Sequence, residues 1–369
     1  MSKIIKKLCS LFIILFTFLL LGCTIKILEV NVEKIKIKED EVFQIEINQE
    51  VNEVSFTTLD ENIAMVTKYG LVVGVNEGKT SIHIEFQNQS ISISVEVLRN
   101  IPSKEDVGLF QVYFIDVGQA DAILLDLPNG ERMMIDAGFG YSDKARASEN
   151  LFTTLDALNV DVIDHFLITH NHQDHYGFVP EIIKKYQVNN IYGSGSVRIN
   201  PQYLEIMASI ERAGLEYYVV EVGDLIVDEE YLKIQVVATQ QLPKDDDPNI
   251  SSVMVRIVYK NVAFMFTGDG GYKSNDAELI ALRSGLELQA DVLKVGHHGS
   301  RYSSGDKFLE AVKPKYAILT TKEDSQDNLP TPDAISRLKK IGASIFQTKD
   351  HGNIIVTTDG QTIKIKTER

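Results

Sequence analysis

The chain has 369 residues, with 37 Lys and Arg against 52 Asp and Glu, and a formal net charge of −15. That balance repels polyanions and counts against tight, non-specific binding along DNA. Only two cysteines occur, Cys9 and Cys23, and the first falls in a leader, so the mature protein is expected to form no internal disulfide.

Residues 1–22 read as an address. Lys3, Lys6 and Lys7 form a positive start, and the run from Leu8 to Leu21 is apolar and uncharged. That run is short for a bilayer span and has the size of a signal-peptide core. It ends in Leu20-Leu21-Gly22-Cys23, which resembles a bacterial lipobox. The resemblance implies cleavage before Cys23 and a lipid on its sulfur, anchoring the protein to the extracytoplasmic face of the membrane without spanning it. Loss of three Lys and no acid with the leader takes the formal charge from −15 to −18.

From 28 to 98 the pattern has period two. Ile35 and Ile37, then Phe43, Ile45 and Ile47, then Ile82, Ile84 and Phe86, then Ile91, Ile93, Val95 and Val97 alternate with polar residues. A small antiparallel sandwich is predicted. Asn62 to Val66, followed by Tyr69-Gly70-Leu71-Val72-Val73-Gly74 and Glu77-Gly78-Lys79-Thr80, is similar to the bacterial group 2 immunoglobulin-like repeat. That resemblance implies a spacer or adhesive stalk. His83, between Ile82 and Ile84, reads as an outward-facing polar residue. The polar stretch 99–106, with Pro102, is a linker.

Beyond it, over 107–369, strands and helices interleave. Strands are predicted at Phe110–Ile115, Ala122–Leu127, Met133–Ile135, Val188–Ile191 and Val262–Phe266. Helices are predicted at Ala145–Leu158, Glu181–Tyr186, Asp276–Ser284 and Asp333–Ile341. Such alternation implies layered sheets with helices outside. At the end of the apolar run Val162–Ile168 stands Thr169-His170-Asn171-His172-Gln173-Asp174-His175, in a chain with only eight His. Residues two apart on an extended chain point the same way, so His170 and His172 can bind one metal ion. The turn that follows can bring Asp174 and His175 to a second.

Three further clusters sit at strand ends: Met134-Ile135-Asp136-Ala137-Gly138, Phe266-Thr267-Gly268-Asp269 and Leu293-Lys294-Val295-Gly296-His297-His298-Gly299-Ser300. Together with Phe114-Ile115-Asp116-Val117-Gly118-Gln119-Ala120-Asp121-Ala122, they resemble the metallo-β-lactamase fold, and within it the extracellular domain of the ComEC competence family. The resemblance runs from about 109 to 360. It implies an α+β chain, an αββα metallo-β-lactamase sandwich preceded by a small all-β Ig-like sandwich. It also implies that His170 and His172 hold the first metal and that Asp174 and His175 hold the second, joined by one His of the 297–298 pair. The same resemblance implies that Asp269 bridges the two ions. Counting back from Leu293 and Val295 as inward-facing favours His297 as that ligand. His298 is then left to contact the scissile group or protonate the leaving atom, with Asp174 the other candidate catalytic residue. Asp136 orients the loop beneath the His cluster, or caps a turn.

The family often supplies a third His to the first metal, but residues 176–268 contain none. Asp247-Pro248-Asn249-Ile250-Ser251-Ser252-Val253 stands there instead, and Asn249 is either a weak oxygen ligand or a turn residue. Asp245 to Asp247 read as a solvated loop, His165 as a packed or edge residue, and Gly193 to Ser196 as a flexible loop. His351 reads as part of a hairpin turn before Ile354–Val356, and Gln119 and Asp121 as turn or site residues. At Asn328 to Pro332 a His common in the family is missing. Imidazole-rich ligation suits one or two zinc ions, with manganese the other candidate. The activity implied is metal-dependent hydrolysis by an activated hydroxide outside the cell. Its leading substrate is extracellular DNA or a small phosphodiester. The alternatives are a hydrolase of phosphocholine esters, lactones or amides, and a non-catalytic metal-stabilised surface module.

Overall fold

The computed structural model describes residues 28–39, 41–48, 53–76, 78–98, 108–140, 144–242, 247–273, 276–325 and 327–369. Cys23 and its leader, the linker 99–106, and the carboxylates Asp245 and Asp246 lie outside the described residues.

Residues 28–98 form two small sheets around one core. One has the order Lys34–Lys38, Gln89–Leu98, Gly78–Phe86, Ser55–Thr58, and the other Val42–Gln44, Leu71–Gly74, Ala64–Val66. The alternating residues Ile35, Ile37, Ile82, Ile84, Phe86, Ile93, Val95 and Val97 fill the space between them. The sandwich is not wholly antiparallel, because Lys34–Lys38 pairs in parallel with Gln89–Leu98. His83 is half-buried, between the fully buried Ile82 and Ile84.

This unit packs directly on the rest of the chain. Val73 is buried in the same cluster as Tyr113, Ile115, Leu151 and Ile355, with Val42 and Met65 against it. Thr67 Oγ1 donates to Glu368 Oε1 at 2.7 Å. Arg146 Nη2 donates to Tyr69 Oη at 3.0 Å and to Asp116 Oδ2 at 2.7 Å.

Two larger sheets follow. One, of eight strands, runs Tyr217–Val219, Gln187–Gly193, Val162–Ile168, Arg132–Ala137, Ala122–Asp126, Phe110–Phe114, Ile354–Thr358, Ile363–Thr367. The other, of seven, runs Leu225–Asp228, Leu232–Ala238, Met254–Tyr259, Val262–Phe266, Val292–Lys294, Tyr316–Leu319, Ser344–Gln347. Phe110, Val112 and Phe114 face the second sheet and meet Phe264, Phe266 and Ile257 there, while Tyr113 between them turns outward. Phe110 and Phe264 lie edge to face, with ring centroids 4.9 Å apart.

Central strands with helices outside bury both faces, which is why they read as continuous apolar runs. Helix Lys144–Ala157 buries Ala147, Leu151 and Leu155 at helical spacing against the first sheet. Helices Ala277–Arg283, Asp306–Val312 and Pro332–Lys340 cover the second. The side chains of Asp276 and Thr331 cap two of these helices by accepting from Ala277 N and Ala334 N. The result is the expected αββα layering, with predicted elements matching to within about two residues. Lys349 to Asn353 is not a hairpin turn. It begins as the helical turn Thr348–His351, where His351 Nδ1 donates to Gln347 O at 2.9 Å.

Candidate metal centre

Strands Arg132–Ala137, Val162–Ile168 and Gln187–Gly193 are parallel neighbours, so their C-terminal ends open on one edge. In the facing sheet Val262–Phe266 and Val292–Lys294 are also parallel. The loops that leave these strands carry the clustered residues and converge. After Ile168 the chain leaves the strand, bends at His170 and Asn171, is extended again at His172 (φ −109°, ψ 149°) and enters the short helix Gln173–Tyr176, which carries Asp174 and His175. Gly138 permits the close crossing beneath: a Cβ there would lie 1.8 Å from Asp174 O.

Two donor sets result. In the first, His170 Nε2 lies 3.1 Å from His172 Nδ1, which lies 2.8 Å from Asn249 Oδ1. In the second, the donor atoms of Asp174, His175, Asp269 and His298 all lie within 4.8 Å of one another. His175 Nε2 is 3.2 Å from Asp269 Oδ1, and His298 Nε2 is 3.4 Å from Asp174 Oδ2 and 3.7 Å from Asp269 Oδ1.

Hydrogen bonds behind these rings decide which nitrogen carries a lone pair. Asp136 accepts from His175 Nδ1 at 2.7 Å, and from Thr169 N and Oγ1 at 2.8 and 2.7 Å. His298 Nδ1 donates to Thr320 O at 2.9 Å. Both Nε2 atoms therefore turn their lone pairs toward Asp269 Oδ1. These three atoms are buried with no hydrogen-bond partner among the described residues, a costly arrangement unless a cation stands between them. Four donors at about 2.0–2.2 Å from one ion would stand about 3.3–3.6 Å apart, close to the spacings here. The residues fit a divalent cation.

The electrostatics agree. Burial holds His170 well below, and His172 below, the ordinary histidine range, which keeps them neutral donors. Burial opposes charge on His175 too, yet Asp269 and Asp136 raise it well above that range. Burial would raise Asp269, but the imidazoles of His175, His297 and His298 hold it well below the usual carboxylate range. The pocket thus favours a positive charge, either a proton on imidazole or a metal ion. Metal binding must displace that proton, so affinity should rise with pH. Because the proton on His175 is held above the usual histidine pKa of about 6.5, zinc or manganese affinity should already weaken as pH falls through 7. Titrations at stepped pH read this directly.

The placement of the paired histidines differs from the sequence expectation. His298, fully buried, joins the four-residue cluster, whereas His297 is a third exposed, with Nε2 3.6 Å from Asp269 Oδ2. Counting by alternate faces fails because the chain leaves the extended conformation at Gly296, and both histidines adopt positive φ, 49° and 51°. Gln119 is tied to Asp327 at 3.0 Å and lies outside the cluster. His165 is packed between Tyr192 and Glu131.

Asp121, read from the sequence as a turn or site residue, supports the site together with Lys294, Thr320 and Ser252, to which the sequence assigned no role. Asp121, deeply buried, accepts from Lys294 Nζ at 2.9 Å and from Thr320 Oγ1, and thereby steadies His298. Ser252 Oγ accepts from Asp269 N at 3.2 Å. The visible signal was Lys294 itself, a charge inside an apolar strand.

The Metallo-beta-lactamase superfamily family matches residues 115–321, more than half of the chain and every residue of both donor sets. The chain belongs to the metallo-beta-lactamase superfamily. Members of this superfamily are typically metal-dependent hydrolases, and the chain carries the candidate metal cluster such an enzyme needs. The chain is 25% identical over 256 residues to ComE operon protein 3 of Bacillus subtilis, covering 66% of this chain and 32% of that protein. It is 26% identical over 233 residues to Competence protein ComA of Neisseria gonorrhoeae, covering 63% and 30%. It therefore spans about a third of the length of these relatives. Among solved structures it is similar to the metallo-beta-lactamase fold protein YhfI of Bacillus subtilis, with a TM-score of 0.45, 10% identity, and 68% of this chain and all of that chain covered. No helix among the described residues is long and apolar enough to cross a membrane.

Asn249 is the oxygen donor beside the two imidazoles of the first set. Asn249→His should raise zinc affinity of that set by at least tenfold, and Asn249→Ala should lower it, with the Asp269 set unchanged. Competitive chelator titration of the two variants resolves the steps.

Proposed function

We propose that this protein is a phosphodiesterase or nuclease that uses two metal ions and acts while anchored through Cys23 to the extracytoplasmic face of the membrane. The observation that carries the reading is Asp269. Its Oδ1 faces His175 and His298 of the second set, and its charge acts on His170 and His172 of the first. One buried carboxylate placed this way can hold two cations side by side, the arrangement that clamps the attacking and departing oxygens of a phosphodiester. His170, His172 and Asn249 would hold the first ion; Asp174, His175 and His298 would hold the second. Zinc suits the imidazoles, and manganese suits the amide and carboxylate oxygens. Similarity to competence proteins favours DNA as substrate. The group 2 Ig-like reading of residues 28–98 fits a β-unit that presents the domain at the cell surface.

When bound, the ions supply Lewis acidity and lower the pKa of water. The chain does the rest. Asp136 and Thr320 lock the rings of His175 and His298, and Asp121 with Lys294 steadies Thr320. Half-buried beside Asp269, His297 is the group that can reach the departing oxygen and give it a proton. His297→Ala should therefore cost about 10²–10⁴-fold in turnover with metal content unchanged. His298→Ala should lose metal and activity together. Metal analysis beside turnover separates the two.

The function is tested with metal-loaded protein on a DNA oligonucleotide, bis(p-nitrophenyl) phosphate, a phosphocholine ester and a lactone. Cleavage of the phosphodiesters alone supports the proposal. Turnover of the lactone or choline ester alone would transfer the site to that substrate class. Metal uptake with no turnover of any of them would favour a metal-stabilised surface module.

A further inference from the structure

The loop that leaves strand Gln187–Gly193 must lie beside the His170–His172 loop, because their parent strands pair in parallel with Ile168 opposite Gly193. It is held on both sides. Asn171 Nδ2 donates to Ser196 O at 2.6 Å, Leu242 N donates to Ser196 Oγ at 2.9 Å, and Gln241 Nε2 donates to Gly195 O at 3.0 Å. The expectation of a flexible loop therefore gives way to a pinned one. Val197 and Ile199 project into solvent, 46% and 57% exposed, while Arg198 between them is half-buried.

Arg198 has few partners of its own. Among the described residues its side chain makes one hydrogen bond, from Nη1 to Asn171 O at 3.5 Å, at the outer limit of such a contact. That bond is not needed to hold the loop, which Asn171 already pins from its side chain. Among the described residues Arg198 forms no ion pair, in a chain with 15 more acids than bases. Its charge acts on His172. Lys294, the cation acting on His298, is buried against Asp121, whereas Arg198, which acts on His172, is half-buried. A guanidinium offers several N–H donors in a planar fork and takes oxyanions in two-point contacts.

We propose that Arg198 is a substrate-binding residue that takes a non-bridging oxygen of an anionic phosphoryl group at the metal centre. The inference rests on the phosphodiesterase reading and sharpens it. A phosphodiester carries one negative charge over two non-bridging oxygens, one of which can turn to the metal side while Arg198 takes the other. Neutral lactones have no group for it. In a strongly acidic protein, Arg198 supplies the local positive charge that lets an anion approach.

The test uses the full metal-loaded chain with Arg198→Ala and Arg198→Lys. The expected result for Arg198→Ala is a KM for bis(p-nitrophenyl) phosphate raised at least tenfold, with kcat within about threefold and metal content unchanged. Arg198→Lys should restore part of the affinity. Calorimetric titration of inorganic phosphate into the same proteins provides a readout without turnover, and Arg198→Ala should weaken phosphate binding at least tenfold. An unchanged KM and phosphate affinity would overturn the assignment, as would a loss matched by loss of metal, which would make Arg198 a support for the His loop. Failure of the wild-type protein to cleave any phosphodiester would defeat the proposed function, yet phosphate binding would still decide the role of Arg198. Absence of phosphate binding by the metal-loaded wild-type protein would overturn it as well.

Discussion

Asp269→Asn is expected to lower phosphodiester turnover about a thousandfold while leaving the fold intact. The carboxylate is 2% exposed, and its two oxygens face different imidazoles. An amide keeps the shape but presents one weaker oxygen and an N–H₂ group that repels a cation. Charge stabilisation by bound metal is worth several kcal/mol in such reactions, and a loss of about 4 kcal/mol corresponds to roughly a thousandfold in rate. The backbone N–H of Asp269 still donates to Ser252 Oγ, so the loop should keep its place. Steady-state kinetics with a circular dichroism control measure this. Turnover within tenfold of wild type would mean that Asp269 does not hold the reacting metal.

Asp136→Ala should have the largest effect on stability. Asp136 is fully buried at a positive φ of 58° and accepts three hydrogen bonds, from Thr169 N, Thr169 Oγ1 and His175 Nδ1. Its removal leaves a backbone N–H and an imidazole N–H unsatisfied, and a β-carbon still sits in a left-handed backbone. Breaking a buried pair of this kind costs roughly 3–5 kcal/mol, a fall in melting temperature of roughly 10 °C for a domain of this size. Metal affinity should also drop about 10–100-fold, because His175 loses the partner that orients it. Asp136→Asn, which keeps an acceptor for Thr169, should be milder on both counts. Thermal unfolding with and without metal reads the two effects. Equal damage from Ala and Asn would put the cost in charge alone.

Much of this architecture was legible because the signals were local. Apolar runs such as Val262–Phe266 have to be central strands, and His170, His172, Asp174 and His175 lie within six consecutive positions. The parts that were not legible depend on backbone geometry or on distant partners. Facing by alternation assumed that the strand Val292–Lys294 continued through the histidines, but the positive φ of His297 and His298 reverses which ring points inward. The Asp121–Lys294 pair joins residues far apart in the chain, so the charge inside the strand was visible but its partner was not. The packing of residues 28–98 on the hydrolase layers, through Val73, Tyr69 and Thr67, was hidden for the same reason. A spacer needs no such contact, and the period-two pattern records only the core within the unit. Asn249 lies between these cases: its motif was visible, but its 2.8 Å approach to His172 required the fold.

The most direct test of the central claim is to titrate zinc, and separately manganese, into chelated protein while following bis(p-nitrophenyl) phosphate turnover in the same sample, with Asp269→Asn beside it. The expected result is up to two bound ions, turnover that rises as they bind, and neither full occupancy nor turnover in the variant. Absence of metal uptake by the wild-type chain, or equal turnover by wild type and variant, would contradict it.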